Sequence, residues 1–164
     1  MMNDVVQIKY SKVFAIISVV TPISILVISG FLVDFKTDII FTLILFGSLA
    51  VYSIFKFFLP MLNKKNALEL NPNGIYDFVR NQHTSWTNIR GIKDVFYGNG
   101  SALGVLLYNE EEFLQRKRFP KKLLCYIDRL LWGTPFLLPF QYLQGNNDEI
   151  FETVQKYYAK LSPR

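Results

Sequence analysis

Residues Val13 to Val33 read VFAIISVVTPISILVISGFLV, 21 positions without a charge. A helix rises 1.5 Å per residue, so this run reaches about 31 Å, enough to cross the hydrocarbon core of a bilayer. Asp34-Phe-Lys-Thr-Asp38 follows with three charges, and Ile39 to Leu59 is apolar again apart from Lys56 near its end. A lysine so placed can lay its stem along the helix and reach the headgroups. Pro60 and Asn63-Lys64-Lys65 close the second run. The pattern predicts a transmembrane helical hairpin over residues 1–60, with spans at about 13–33 and 39–59. A cleaved signal peptide fits poorly, because its apolar core is shorter and a small-residue cleavage site, not a second span, follows it. A buried soluble hairpin fits no better: a chain of 164 residues has too little other material to cover two apolar helices on all sides.

The flanking charges predict an orientation. Lys9 and Lys12 precede the first span, and Lys56, Lys64 and Lys65 end the second, while the connection holds one lysine against two aspartates. The positive-inside rule then places both termini in the cytosol. Ser18, Pro22 and Ser29 in the first span, with Gly47 and Ser48 in the second, are small or kinking residues that favour close helix contact. Lining a pathway is their other use, but neither span holds an ionisable residue at mid-membrane, which argues against a pump or ion transporter.

Composition divides the chain in the same way. The hydrophobic fraction is 51%, the charged fraction 19% and the mean hydropathy +0.21, whereas about a quarter of a soluble domain is charged. The excess lies in residues 13–59. Without Lys9, Lys12, Lys36, Lys56, Asp4, Asp34 and Asp38, 14 basic and 10 acidic residues remain from Met61 onward, a net +4. A domain over 61–164 with that charge suits an anionic lipid surface and falls far short of a nucleic-acid binder. Cys125 is the one cysteine, so neither an intrachain disulfide nor a thiol-rich metal site is expected.

Within that domain Ala67–Leu70 and Ile75–Arg80 read as strands around the turn Asn71-Pro-Asn-Gly74. Asn81–Ser85 reads as a polar loop. Trp86–Tyr97 is β-rich with an interruption at Arg90-Gly91, Gly98–Ser101 is a tight turn, and Ala102–Tyr108 is another strand. Asn109 is placed to cap a helix with Glu110, Glu111 and Glu112 in its first turn and Arg116, Lys117 and Arg118 at its end, Glu112 and Arg116 forming an i,i+4 pair. Pro120 ends it. Lys121–Trp132 sets Leu123, Leu124, Ile127, Leu130 and Leu131 on one helical face. Phe136–Leu143 is a strand whose Pro139 suggests a sheet edge. A last helix starts near Asn147 with the stripe Ile150, Phe151, Val154, Tyr157 and Tyr158, and Pro163 lies past its end.

Leu70-x-x-Asn73-Gly74-Ile75, Trp86-x-x-Ile89-x-Gly91-Ile92, Gly133-Thr134-Pro135 ahead of a strand and Glu149-Ile150 in the last helix are familiar in this order. The chain resembles small bacterial two-span membrane proteins with a cytosolic PH-like (pleckstrin-homology-like) domain. The resemblance covers nearly the whole chain through short, mostly structural motifs. It implies an α+β membrane protein: a transmembrane hairpin, then a PH-like antiparallel β barrel or half-barrel with a helical insertion and a C-terminal amphipathic helix. It further implies Trp86 and Ile89 inside the barrel and a bacterial inner (plasma) membrane location. It implies no reaction. The chain departs from that fold in offering about five strand segments where seven are expected, and in the long insertion from Asn109 to Trp132.

Catalytic chemistry has few candidates. His83 is the one histidine and stands in a polar stretch without a nucleophile or orienting partner. Cys125 lies near Lys121, Lys122 and Arg129, but without a histidine it reads as a buried or inert thiol. Glu69, Asp77 and Asp94 are scattered, and Gly98-x-Gly100 lacks the third glycine and helix of a phosphate loop. No metal-ligand spacing is present, so no cofactor, metal or enzymatic activity is expected. What remains is Arg116, Lys117, Arg118, Lys121 and Lys122 interleaved with Phe113, Leu114 and Phe119, followed by the amphipathic stretch ending at Trp132. Such an element suits the headgroup level, cations outward and apolar face down, while a solvated helix end balanced by the three glutamates is the simpler alternative. The expected function is a non-enzymatic membrane module binding a protein partner or anionic lipid, with a self-protection (immunity) protein against a membrane-acting toxin as the alternative.

Overall fold

The computed structural model describes residues 5–32, 38–98 and 100–162, and its first element is a strand. In β1 (Val6–Lys9) Ile8 points inward while Gln7 and Lys9 face out. The strand pairs antiparallel with β2 (Asn66–Asn71), Val6 opposite Leu70 and Ile8 opposite Leu68. It is not among the elements expected from the sequence, because four alternating residues beside a long apolar run give almost no signal of their own. The next residues tie it down further. Ser11 N–H donates to Tyr142 O and Gln144 N–H to Lys9 O, both at 2.9 Å.

The apolar helices are an excursion between the first two strands. α1 (Lys12–Leu32) leads out, and α2 (Asp38–Ser53) returns through a π-helical turn at Ile54–Phe58 into α3 (Leu59–Leu62). Lys12–Gly30 and Ile40–Leu62 are long and apolar enough to cross a membrane. The π turn comes just before Pro60, whose ring crowds the carbonyl one turn back and which has no N–H to offer it. Most of the charged connection, Asp34 to Thr37, lies outside the described residues.

In α1, buried Ala15 and Pro22 with half-buried Ser18, Leu26 and Ser29 form one stripe. The hydroxyls of Ser18 and Ser29 are satisfied within the helix, donating to Ala15 O and Leu26 O at 2.9 Å. In the returning helix the buried positions are Ala50 and Ser53 rather than the expected Gly47-Ser48. Ser48 is exposed, and a Cβ added at Gly47 would meet nothing within 4 Å. Residues two apart face different sides of a helix, so Ser48 cannot share the Ala50–Ser53 face.

Antiparallel strands follow. β2 turns into β3 (Gly74–Asp77) through Asn71, whose Oδ1 accepts from Asn73 N–H at 2.9 Å and Gly74 N–H at 3.2 Å. Glycine is needed at 74, where a Cβ would sit 2.1 Å from Thr84 O. That neighbour belongs to β4 (Gln82–Thr84), a strand where a polar loop was expected. Its inward residues are polar, which hides the alternation: Gln82 is buried because its Nε2 donates to Asp77 Oδ2 at 3.0 Å and Leu137 O at 3.1 Å. These strands form a sheet in the order β1-β2-β3-β4.

The second sheet has β5 (Ile89–Tyr97), β6 (Gly100–Leu107) and β7 (Phe136–Pro139) in that order. The register shifts between Ile89 and Gly91, at the expected interruption, and Pro139 lies on the edge strand. The β5–β6 turn includes Asn99, which is outside the described residues. Between β6 and β7 come α4 (Glu110–Gln115) and α5 (Lys121–Trp132). Asn109 makes no side-chain cap, and α4 closes on Arg116 as its C-cap, so Arg116 lies at the helix end as expected while Lys117 and Arg118 fall in the connection to α5. α6 (Asn147–Leu161) is capped by Asn146, whose side chain accepts from Asp148 N–H. Pro163, expected beyond it, lies outside the described residues.

The molecule is therefore α+β, with two apolar helices near its N-terminus and antiparallel sheets. Leu68, Leu70 and Ile75 of one sheet meet Ile89, Leu103, Val105, Phe136 and Leu138 of the other in one core, with Val154 of α6 among them. Trp86 is buried there too. Its Nε1 donates to Asn71 O at 2.8 Å and its ring lies 6.0 Å from Tyr157.

Candidate functional site

The connection between α4 and α5 faces the outer end of the first sheet across a groove of about 960 Å³. Arg116, Lys117, Arg118, Phe119, Pro120 and Lys121 form one wall, and Asn73, Tyr76, Asn81 and His83 belong to the other. His83 projects outward from β4 and its ring lies almost parallel to Tyr76, 5.5 Å away and inclined by 9°. Lys117 is half-buried with its Nζ 4.4 Å from the Phe113 ring centre. Burial, reinforced by the charge of nearby Lys121, holds its ammonium pKa below the ordinary lysine value.

The three glutamates of α4 do not balance this run. Glu110 and Glu111 both reach across to Arg129 of α5, and only Glu112 pairs with the basic connection, at Arg116. Among the described residues Lys117, Arg118, Lys121 and Lys122 take part in no ion pair. Four cations thus line the groove against one carboxylate, itself engaged. At Lys117, Arg118 and Lys121 an anionic group entering it would meet charge with no carboxylate partner to displace, while Arg116 is already paired with Glu112.

Lys122 and Trp132, expected to share this surface, are elsewhere. Trp132 fastens the end of α5 to β5: its ring lies 4.7 Å from Tyr97, its Nε1 donates to Phe96 O at 3.0 Å, and its carbonyl accepts from Lys93 Nζ at 2.7 Å. Lys122 is half-buried on the α5 side.

α5 turns its ionic face inward. Cys125 and Asp128 are buried, and Asp128 Oδ2 accepts from Arg80 at 2.6 Å. Arg80 also donates to Tyr97 Oη at 3.1 Å, and its backbone N–H donates to Asp77 Oδ1 at 3.1 Å. Burial pushes the Asp77 carboxyl up to about 6 and the Cys125 thiol above its ordinary value, so Cys125 is the buried thiol expected. Nothing in the sequence singles out Arg80 or Asp128, since an ion pair across 48 residues leaves no local signal. The leucine face of α5 points away from the core: Leu123, Leu124, Ile127, Leu130 and Leu131 are all exposed, Leu130 by 84%.

Comparison of the chain with protein-family models, with curated proteins and with solved structures finds no match.

Proposed function

We propose that the chain is a non-enzymatic, membrane-anchored binding module. In this reading the two apolar helices cross a bacterial inner membrane with both termini cytosolic, and a PH-like domain beside the membrane takes an anionic lipid headgroup into the basic groove. The observation that carries it is the set of cations along the groove without carboxylate partners. The membrane part is supported by the length and apolarity of the helices and by the lysines at their sheet-side ends, Lys9 donating to Lys64 O at 2.9 Å. The PH-like part is supported by the seven strands among the described residues, in antiparallel sheets of four and three, with α6 after them. Lipid is favoured over a protein partner because a domain tethered by two spans meets headgroups at high effective concentration. The immunity reading has no specific observation in its favour.

The full chain in neutral detergent, titrated with phosphatidylglycerol and followed by native mass spectrometry, tests this. Each cation near an anionic surface contributes about 1 kcal/mol, so reversing Arg116, Arg118 and Lys121 to glutamate should weaken binding about a hundredfold. Unchanged affinity would overturn the lipid reading. Retention of one stoichiometric protein from the cell in place of lipid would replace it with an adaptor role.

A further inference from the structure

We propose that α5 is a third membrane element, lying in the plane of the bilayer interface with Leu123, Leu124, Ile127, Leu130 and Leu131 among the upper acyl chains of anionic phospholipid. This rests on the reading of the two apolar helices as spans but not on the groove.

An amphipathic helix of a soluble domain normally turns its apolar stripe to the core. α5 does the reverse. The spacing 123, 124, 127, 130, 131 is a continuous stripe, and every member is exposed while Cys125 and Asp128 on the opposite face are buried. The inversion is built in, because Arg80 waits inside for Asp128, and Glu110 and Glu111 hold Arg129 at the flank. Phe119, 81% exposed just ahead of the helix, extends the apolar surface. Arg116, Arg118 and Lys121 sit beside it, as in helices that combine acyl-chain insertion with attraction to anionic headgroups.

Proximity to the apolar helices is the second observation. Tyr142 marks the sheet-side end of both apolar helices: its ring stacks on Phe57 at 5.5 Å and meets Phe14 edge-on at 4.7 Å. It lies within electrostatic range of Tyr52 in α2 and of Tyr97, which holds Trp132 at the end of α5. At the other end of α5, Lys121 lies within electrostatic range of Lys56, as does Arg80. Both ends of α5 are thus linked, through these neighbours, to the sheet-side end of the second apolar helix. An exposed apolar face near that end of the helices and flanked by cations has the phospholipid interface as its neighbour.

The test uses the full chain with Cys125→Ala, reconstituted in mixed phosphatidylglycerol and phosphatidylcholine vesicles. Spin labels are placed singly through Leu124→Cys, Ile127→Cys and Leu130→Cys. References are Ile23→Cys and Ile44→Cys in the apolar helices and Glu152→Cys on exposed α6. Collision with oxygen, which partitions into lipid, is compared with collision with a water-soluble nickel chelate. The three α5 labels should show an oxygen-to-nickel ratio about tenfold above that at Glu152, as for groups held below the headgroups. Nickel access equal to that at Glu152, with Ile23 and Ile44 still lipidic, would overturn the α5 proposal alone. Exclusion of both reagents at α5 would overturn it in favour of a second copy of the chain. Aqueous labels at Ile23 and Ile44 would overturn the span reading and this proposal with it.

Discussion

Asp77 is 1% exposed and holds together the corner between β3 and β4, its carboxylate accepting from Arg80 N–H and Gln82 Nε2. Its carboxyl, pushed up to about 6 by burial, titrates in a window where an unfolded aspartate, with a pKa near 3.9, has already lost its proton. Between those values the folded state holds a proton that the unfolded state does not. The stabilisation is therefore fully present below about pH 4 and is lost as pH rises through about 6. Two pKa units correspond to roughly 3 kcal/mol. Thermal unfolding in detergent should show the wild type losing more stability between pH 4 and pH 7 than Asp77→Asn does. The variant's amide sets an N–H against Gln82 Nε2, but that cost does not vary with pH, so the difference in slope isolates the carboxyl. Parallel profiles would mean that Asp77 is charged throughout.

At the scale of elements, α5 is held by Trp132 at its C-terminal end and by the ion pairs of Asp128 with Arg80 and of Arg129 with Glu110 and Glu111, not by a buried leucine stripe. Arg80→Leu leaves the Asp128 carboxylate facing the core without its partner, which costs about 3 kcal/mol where such a pair is buried. Cys125 lies on the same inward face one turn earlier, so loosening of α5 is readable at its thiol. Labelling of native Cys125 by a maleimide should be slow in the wild type and faster in Arg80→Leu. In Arg80→Leu with Asp128→Leu it should slow again, because two apolar residues of similar size can close the same contact. Equal labelling rates in all three proteins would show that the Arg80–Asp128 pair does not hold the helix.

For the whole molecule, the sheet is completed by residues from before the apolar helices. Ile8 and Tyr10 are buried against the domain, and Lys9 donates to Asn66 Oδ1 at 2.6 Å beside its bond to Lys64 O. A domain cut at residue 61 lacks these groups, and burying an aliphatic side chain contributes about 1.5–3 kcal/mol. Residues 61–164 alone should melt well below the same domain with residues 5–11 joined through a short glycine-serine linker, as followed by circular dichroism. Coincident melts would make β1 dispensable. The arrangement also bears on mechanics, since both ends of the helical excursion are fastened to one sheet edge and the domain cannot swing freely from a single tether.

The local sequence determined the elements whose signals are local. Twenty-one uncharged residues can only be a long apolar helix, Asn71-Pro-Asn-Gly74 can hardly avoid a turn, and α5 and α6 carry clear helical stripes. The cations of the groove were also legible, because charge is a property of residues one at a time. Tertiary structure decided whatever depends on partners far along the chain. β1 and β4 are strands because β2 and β3 offer them unpaired backbone, and Gln82 is inside because Asp77 and Leu137 receive its amide. Glu110 and Glu111 serve Arg129 instead of the neighbouring lysines because α5 folds back beside α4. Periodicity reveals that a helix has an apolar face but not which way the face turns. On α5 that was decided by Arg80, 48 residues from Asp128, where the desolvation of a carboxylate is offset only by a cation already in place.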